Sequence, residues 1–503
     1  MIDLIPTLTL SSSTHQALLV SLILFVSSSR GSGAGEAFGP SSDPTLSASE
    51  EPGRSTTSPV EIPAPPRAIL ERIRDAALGN TYALDQVAYL SRNIGARFSG
   101  TPGAAAAVDY VREQMEAEGF SVTLQEVMVP RWIRGTEKGV LVDWPGRRLD
   151  CEQEVILTTL GGSIATPDEG IVAEVLVVES FEDLESRNRE AVEGRIVLFN
   201  PVFDKALTAQ GRAGDAYDQV YAYRSQGAIA ASKQGARAAL VRSLGSADFR
   251  LPHTGGMRYE EGVAPIPAAA VSAEDASTLA SLARQGPVSM RLILTPRSLD
   301  PIPGHNVIAD FVGSTHPEEI VLVSGHLDSW DICPGAIDDA SGVAMAMATL
   351  KIVKDLGLKP RRTLRCVAWM NEENGMAGAR GYVDAFAGSL ARHRLAIESD
   401  FGVGHPIGID VHAPDALVDS LGPALAVARR FGAGLIERHQ EPVSTDVSFL
   451  GAKGVPTLEL KADTRDYFHY HHTRADTFDK IDPQFLAENV ALMAVLAGAI
   501  AGF

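Results

Sequence analysis

From Gly304 to the C-terminus the sequence alternates short apolar runs with longer stretches of helical periodicity, and no other feature narrows the fold as much. Ile320–Ser324, Arg365–Met370, Leu395–Glu398 and Thr457–Leu460 are short, apolar and bounded, as strands covered on both faces are. Asp339–Leu356, Ala377–Ala387, Asp415–Phe431 and Pro483–Ala501 carry the spacing of the intervening helices. The pattern predicts an α/β fold, a mostly parallel sheet with helices on both faces. Ligands of such sheets sit beyond the carboxyl ends of the strands, so the residues just after each run are where chemistry is expected.

Upstream, helices are expected over Ala68–Ala77, Thr81–Leu90 and Ala104–Glu118, then a strand over Val122–Val129. Between Arg131 and Arg297 the texture changes to β-rich runs (Ile171–Val178, Arg195–Phe199, Ala238–Val241, Ala268–Val271, Met290–Leu294), with a short helical stretch before Gln234-Gly235 and a helix over Ala273–Arg284. Residues 131–297 therefore read as a smaller β-rich α/β domain inserted into a main domain made of 67–130 and 298–503. It holds no cluster with metal-ligand spacing, so access control or assembly is the role expected of it. Residues 31–66, rich in Gly, Ser, Pro, Thr and Glu, read as a disordered linker. Ala17–Val26, ALLVSLILFV, has the length of a signal-peptide core and is too short to cross a bilayer alone. Residues 1–30 thus read as a signal peptide and the protein as exported without stable membrane insertion; an uncleaved anchor or a misplaced start codon are the alternatives.

With 45% hydrophobic residues over 503 positions there is material for more than one core. A formal charge of −19 repels the phosphate backbone, which argues against nucleic-acid partners. Three cysteines allow one bridge at most and no disulfide framework.

The predicted strand ends carry metal-binding side chains. Ser324 is followed by Gly325, His326, Leu327 and Asp328; Met370 by Asn371, Glu372, Glu373 and Asn374; Glu398 by Ser399 and Asp400. Asp338 lies twelve residues past His326, and His471 and His472 sit in a His-rich loop after Thr457–Leu460. Carboxylates and imidazoles suit Zn²⁺, a Lewis acid toward carbonyls. Two ions ~3.5–4 Å apart can share a carboxylate and acidify a water held between them, with a further carboxylate left as base. Singly, each residue reads as a solvated loop side chain or, for Asp338-Asp339, as a helix N-cap. Jointly, that reading needs five strand-end clusters of matching chemistry by coincidence.

Ser324-Gly325-His326-Leu327-Asp328-Ser329-Trp330-Asp331, followed by Gly335-Ala336-Ile337-Asp338-Asp339 and Ser341-Gly342, resembles the first metal motif of the co-catalytic zinc exopeptidases of clan MH, and within that clan the carboxypeptidase Q family. The resemblance runs from Arg67 to Phe503, and residues 131–297 resemble the protease-associated domain that several members carry. It implies two Zn²⁺ per chain, His326 and Asp400 on one, Glu373 and His472 on the other, and Asp338 bridging. It makes Glu372 the general base, with Asp328 beside it accepting the second imidazole N–H of His326. His472-Thr473-Arg474-Ala475-Asp476-Thr477 resembles the closing motif, in which the His directly before Ser or Thr is the ligand. Asp446, in Thr445-Asp446, is a structural or substrate-side candidate, and His471 a candidate for the substrate side. A cis Asp338–Asp339 peptide is also implied.

The implied activity is hydrolysis of short peptides or dipeptides with free termini, leaving aminopeptidase, carboxypeptidase and dipeptidase open, and a homodimer is compatible with it. A single-zinc glutaminyl cyclase and a receptor-like ectodomain without ligands are the competing readings, and the complete ligand set opposes both. Cys333-Pro334 departs from the family, which has a small residue there. Its thiol is either buried and inert or close to the metals and reactive.

Overall fold

The computed structural model describes residues 65–503; the expected signal segment and nearly all of the expected linker lie outside them. Sixteen strands in two eight-stranded sheets make up the β-structure of the described residues. β1 (Ser121–Ile133) is followed by eight strands that form the second sheet: β2 (Glu137–Asp143), β3 (Gln153–Val155), β4 (Leu157–Thr159), β5 (Ile171–Val178), β6 (Ile196–Phe199), β7 (Ala238–Arg242), β8 (Ala268–Val271) and β9 (Ser289–Leu294). The chain then returns to the first sheet with β10 (Arg297–Phe311), β11 (His316–His326), β12 (Arg362–Trp369), β13 (His393–Glu398), β14 (Pro406–His412), β15 (Leu435–Arg438) and β16 (Thr457–Ala462).

The first sheet has the order β1-β10-β12-β11-β13-β16-β14-β15. Its centre, β12-β11-β13-β16, is parallel, and β1, β10 and β14 are antiparallel to their inner neighbours. Side chains alternate between two cores, as the pleat requires. Leu364, Cys366 and Ala368 of β12 face the helices Ser341–Asp355 and Pro483–Ala501, whereas Val367 and Trp369 face Tyr382 and Val383 of helix Ala377–Ala385. Helices on both faces are what the apolar runs predicted. Helix Pro483–Ala501 is apolar and long enough for a bilayer, yet it lies inside the core, capped by Asp482 at the N–H groups of Gln484 and Phe485.

The second sheet has the order β3-β2-β9-β5-β6-β7-β8-β4, with β5 to β8 parallel. Beside it lies a 21-residue helix, Ala213–Lys233, of which only the last turns were legible. Its buried positions include Ala213, Ala216, Gly227, Ala228 and Ala231, small residues that pack closely without giving an apolar stripe.

Helix Ser341–Asp355 begins two residues later than expected, because Asp338 and Asp339 have non-helical backbone angles. Their peptide bond is cis. Asp339 caps the helix by accepting from Gly342 N–H (2.8 Å), and its other oxygen accepts from His326 N–H (3.0 Å). This close approach needs glycine at two points. A Cβ on Gly325 or on Gly342 would sit 2.5 or 2.3 Å from Asp339 Oδ2.

Candidate metal centre

Parallel pairing brings the carboxyl ends of β11, β12 and β13 to one edge, and the predicted residues meet there. His326, 1% exposed, ends β11 with Nε2 3.0 Å from Asp338 Oδ1 and 3.1 Å from Asp400 Oδ1. Across Asp338, His472 Nε2 is 3.1 Å from Glu373 Oε2 and 3.4 Å from Asp338 Oδ2. Asp338 thus turns one oxygen to each half of the cluster. Glu372 is half-buried beside Glu373. Burial, reinforced by the surrounding carboxylates, holds the carboxyls of Asp338, Glu372 and Glu373 above their ordinary range.

The donor set fits metal. Four carboxylates and two imidazoles converge in a site from which water is largely excluded, and Glu373 Oε1 is buried without a hydrogen-bond partner among the described residues. Both imidazoles have their Nδ1 occupied elsewhere: that of His326 lies 3.0 Å from the Asp328 main-chain oxygen and that of His472 3.2 Å from the Thr254 main-chain oxygen. With the proton on Nδ1 in each ring, both Nε2 lone pairs point into the cluster. His326, Asp338 and Asp400 form one group of adjacent ligand atoms, and Asp338, His471 and His472 form another.

One contact differs from the sequence reading, and the placements of the other candidates become specific. The Asp328 carboxylate does not take the imidazole proton of His326, since its Oδ1 is 4.0 Å from Nδ1 and the main-chain carbonyl of the same residue is closer. It accepts instead from Asn371 N–H (2.8 Å), Glu372 N–H (3.0 Å) and Ser99 Oγ–H (2.9 Å), tying β11 to the Glu372 turn. His471 stacks on His472 with ring centroids 3.6 Å apart, and its Nε2 is 3.8 Å from Asp338 Oδ2. Asp446 is fully buried, and neither carboxylate oxygen has a hydrogen-bond partner among the described residues. Its neighbour Thr445 reaches the site directly, donating from Oγ1 to Asp400 Oδ2 (2.7 Å). Cys333 is buried against Phe98, Trp132 and Trp330, and burial pushes its thiol far above the ordinary value. Of its two readings, the structure shows the buried one.

Two supporting groups escaped the sequence reading. Asp476 accepts from Ala336 N–H (2.8 Å), Ile337 N–H (2.8 Å) and Asp338 N–H (3.2 Å), fixing the turn that presents Asp338. The Tyr467 hydroxyl donates to Asp400 O at 3.2 Å. Asp476 lies inside the closing motif, which was the available signal; nothing in the sequence flags Tyr467.

Residues 306–497 match peptidase family M28. Human carboxypeptidase Q is 35% identical over 420 residues, which are 83% of this chain and 84% of that protein. The chain belongs to peptidase family M28. A solved M28 peptidase precursor from Shewanella amazonensis SB2B matches with a TM-score of 0.81 and 37% identity, covering 87% of this chain and 97% of the other. BSAP, a zinc aminopeptidase from Bacillus subtilis, shares the fold at a TM-score of 0.61 and 20% identity, covering 83% and 94%. As an M28 peptidase the chain is a metallo-exopeptidase, a hydrolase, and the clan assignment drawn from the strand-end motifs holds.

Proposed function

We propose that this chain is a two-zinc exopeptidase acting on short peptides or dipeptides with free termini. The observation that supports it most directly is the two-sided presentation of Asp338, with Oδ1 toward His326 and Oδ2 toward His472. In this reading His326 and Asp400 hold one ion, Glu373 and His472 the other, and Asp338 both. Bound zinc supplies Lewis acidity, polarising the scissile carbonyl and lowering the pKa of water. Glu372 takes the proton from the attacking water and delivers it to the leaving amine. Its backbone is held by Asp328, whose carboxylate accepts from the N–H groups of Asn371 and Glu372, so the base stays in register with β11. Residues 131–297 are read as a protease-associated-like insertion, and residues 1–30 as a signal for export.

A peptide library with free, N-blocked and C-blocked ends tests the specificity. Cleavage is expected to require at least one free terminus, and equal turnover of doubly blocked peptides would refute an exopeptidase of this kind. Metal analysis of the purified protein should find about two zinc per chain; one would favour the cyclase and none the receptor-like reading.

A further inference from the structure

The stretch 243–256 of the insertion runs beside the loop that carries His471 and His472. Ser246 N–H donates to Phe468 O (3.1 Å) and Thr254 N–H to His472 O (2.9 Å). Phe203 and Tyr217, also from the insertion, pack their rings on Phe468 with centroids 5.7 and 4.8 Å away. His472 has φ +58°, an unusual conformation for a residue with a side chain, and such a residue persists where its surroundings over-determine it.

Thr254 is the hub of this contact. Its carbonyl oxygen lies 3.2 Å from His472 Nδ1 and 3.4 Å from Arg224 Nη1, and Arg224 Nη1 lies 3.4 Å from that same Nδ1. A guanidinium only donates, so with the His472 proton on Nδ1, as its reading as a zinc ligand through Nε2 requires, the carbonyl takes two donors and the Arg224 side fixes where the oxygen points. Arg224 is 6% exposed, its Nε has no partner among the described residues, and it is wedged between the rings of Tyr217 and Tyr221 and the backbone of Gly255. A Cβ on Gly255 would fall 2.3 Å from Arg224 Nη1, so the two are in tight register. The Thr254 hydroxyl donates to Thr159 O (3.1 Å) and accepts from Arg134 Nη2 (3.3 Å), and Arg134 pairs with Asp331 in the loop between His326 and Asp338.

We propose that the insertion completes the metal centre from outside: the Thr254 carbonyl, clamped by Arg224, holds the Nδ1–H of His472 and so aims the Nε2 lone pair at the ion shared with Glu373 and Asp338. Arg224 is thereby a positioning residue. The inference rests on the reading of His472 as a zinc ligand and assigns the insertion a part beyond access control.

The test uses the full-length protein and zinc affinity measured by competition with a fluorescent chelator. Loss of a partner that orients a ligating imidazole typically costs ~10–100-fold in affinity. Arg224→Met should weaken one of the two zinc ions by about that factor and leave the other unchanged. Arg224→Lys, which keeps a charged donor, should recover part of the loss. In a His472→Ala background, where one zinc is already lost, Arg224→Met should add nothing. Cobalt-loaded Arg224→Met should show an altered visible spectrum for one ion only. If His472→Ala loses a zinc while Arg224→Met binds both as the unaltered protein does, or weakens both alike, the clamp is overturned and the ligand assignment stands. If His472→Ala keeps both ions, the ligand assignment itself fails. Should Arg224→Met not fold, Arg224→Gln carries the same comparison.

Discussion

Glu372 and Glu373 are adjacent in sequence yet differ in what they touch. Glu373 is 8% exposed with Oε2 on His472, whereas Glu372 is half-buried, its backbone pinned by Asp328. Glu372→Gln should therefore keep the zinc content of the parent and lower kcat by about 10²–10⁴-fold, the usual loss for a general base. Steady-state kinetics beside metal analysis checks this, and more than half the parent activity would refute the assignment. Asp476 has the opposite profile, touching only backbone N–H groups. In Asp476→Asn an amide NH₂ replaces one acceptor oxygen and opposes a buried N–H, so about 1–3 kcal/mol of stability should go. A lowered denaturant midpoint, with weaker zinc binding because the Asp338 turn loosens, is the expected result. An unchanged midpoint would mean the three N–H groups find water instead. Asp328 marks how far residue-level reading reached: its spacing from His326 was legible, but which of its oxygens meets the imidazole depends on the turn after β11, which residue type does not encode.

β13 starts at His393, whose Nε2 accepts from the Tyr382 hydroxyl (2.7 Å), which itself accepts from Arg365 (2.8 Å). Burial lowers His393 to about 4. An unfolded histidine takes its proton near 6.5, so between these values the unfolded chain binds more protons than the folded one, and stability falls as pH drops from about 6.5 to about 4. His393→Gln, which cannot titrate, should remove about 2 kcal/mol of the stability loss between pH 7 and pH 5. Equal losses in both proteins, measured by denaturant unfolding, would contradict it. The same strand shows what made elements legible. β11, β12, β13 and β16 are covered on both faces, so their apolar runs were read with errors of a few residues at the ends. β15, with Leu435, Glu437 and Arg438 exposed, carries no such run, and helix Ala213–Lys233 buries alanine and glycine in place of a stripe. Both were missed in whole or in large part for that reason.

At the scale of the molecule, residues 131–297 are joined to the site by packed surfaces. A Cβ on Gly161 would lie 2.1 Å from the Trp330 ring, Trp330 stacks on Phe98 at 5.0 Å, and Arg134 chelates Asp331. Access control or assembly was the role expected of residues 131–297. These contacts add a structural part to that role: a chain with residues 131–297 replaced by a Gly/Ser linker should lose Thr254 and Arg224 from His472, uncover Trp330 and Phe468, and retain one zinc or none. A shortened protein that held two zinc ions at the parent affinity would show the joint to be dispensable. The seclusion of Cys333 gives the molecule a built-in clock. Cys151 is exposed while Cys333 and Cys366 are buried, so a thiol reagent should modify the native chain once quickly and then only as often as the interior opens. Because Cys333 lies between His326 and Asp338 in the chain, its labelling rate, followed by mass spectrometry, times the breathing of the loop that joins two of the proposed zinc ligands. Added zinc should lengthen that interval, since an ion bound to the closed form alone makes each opening rarer.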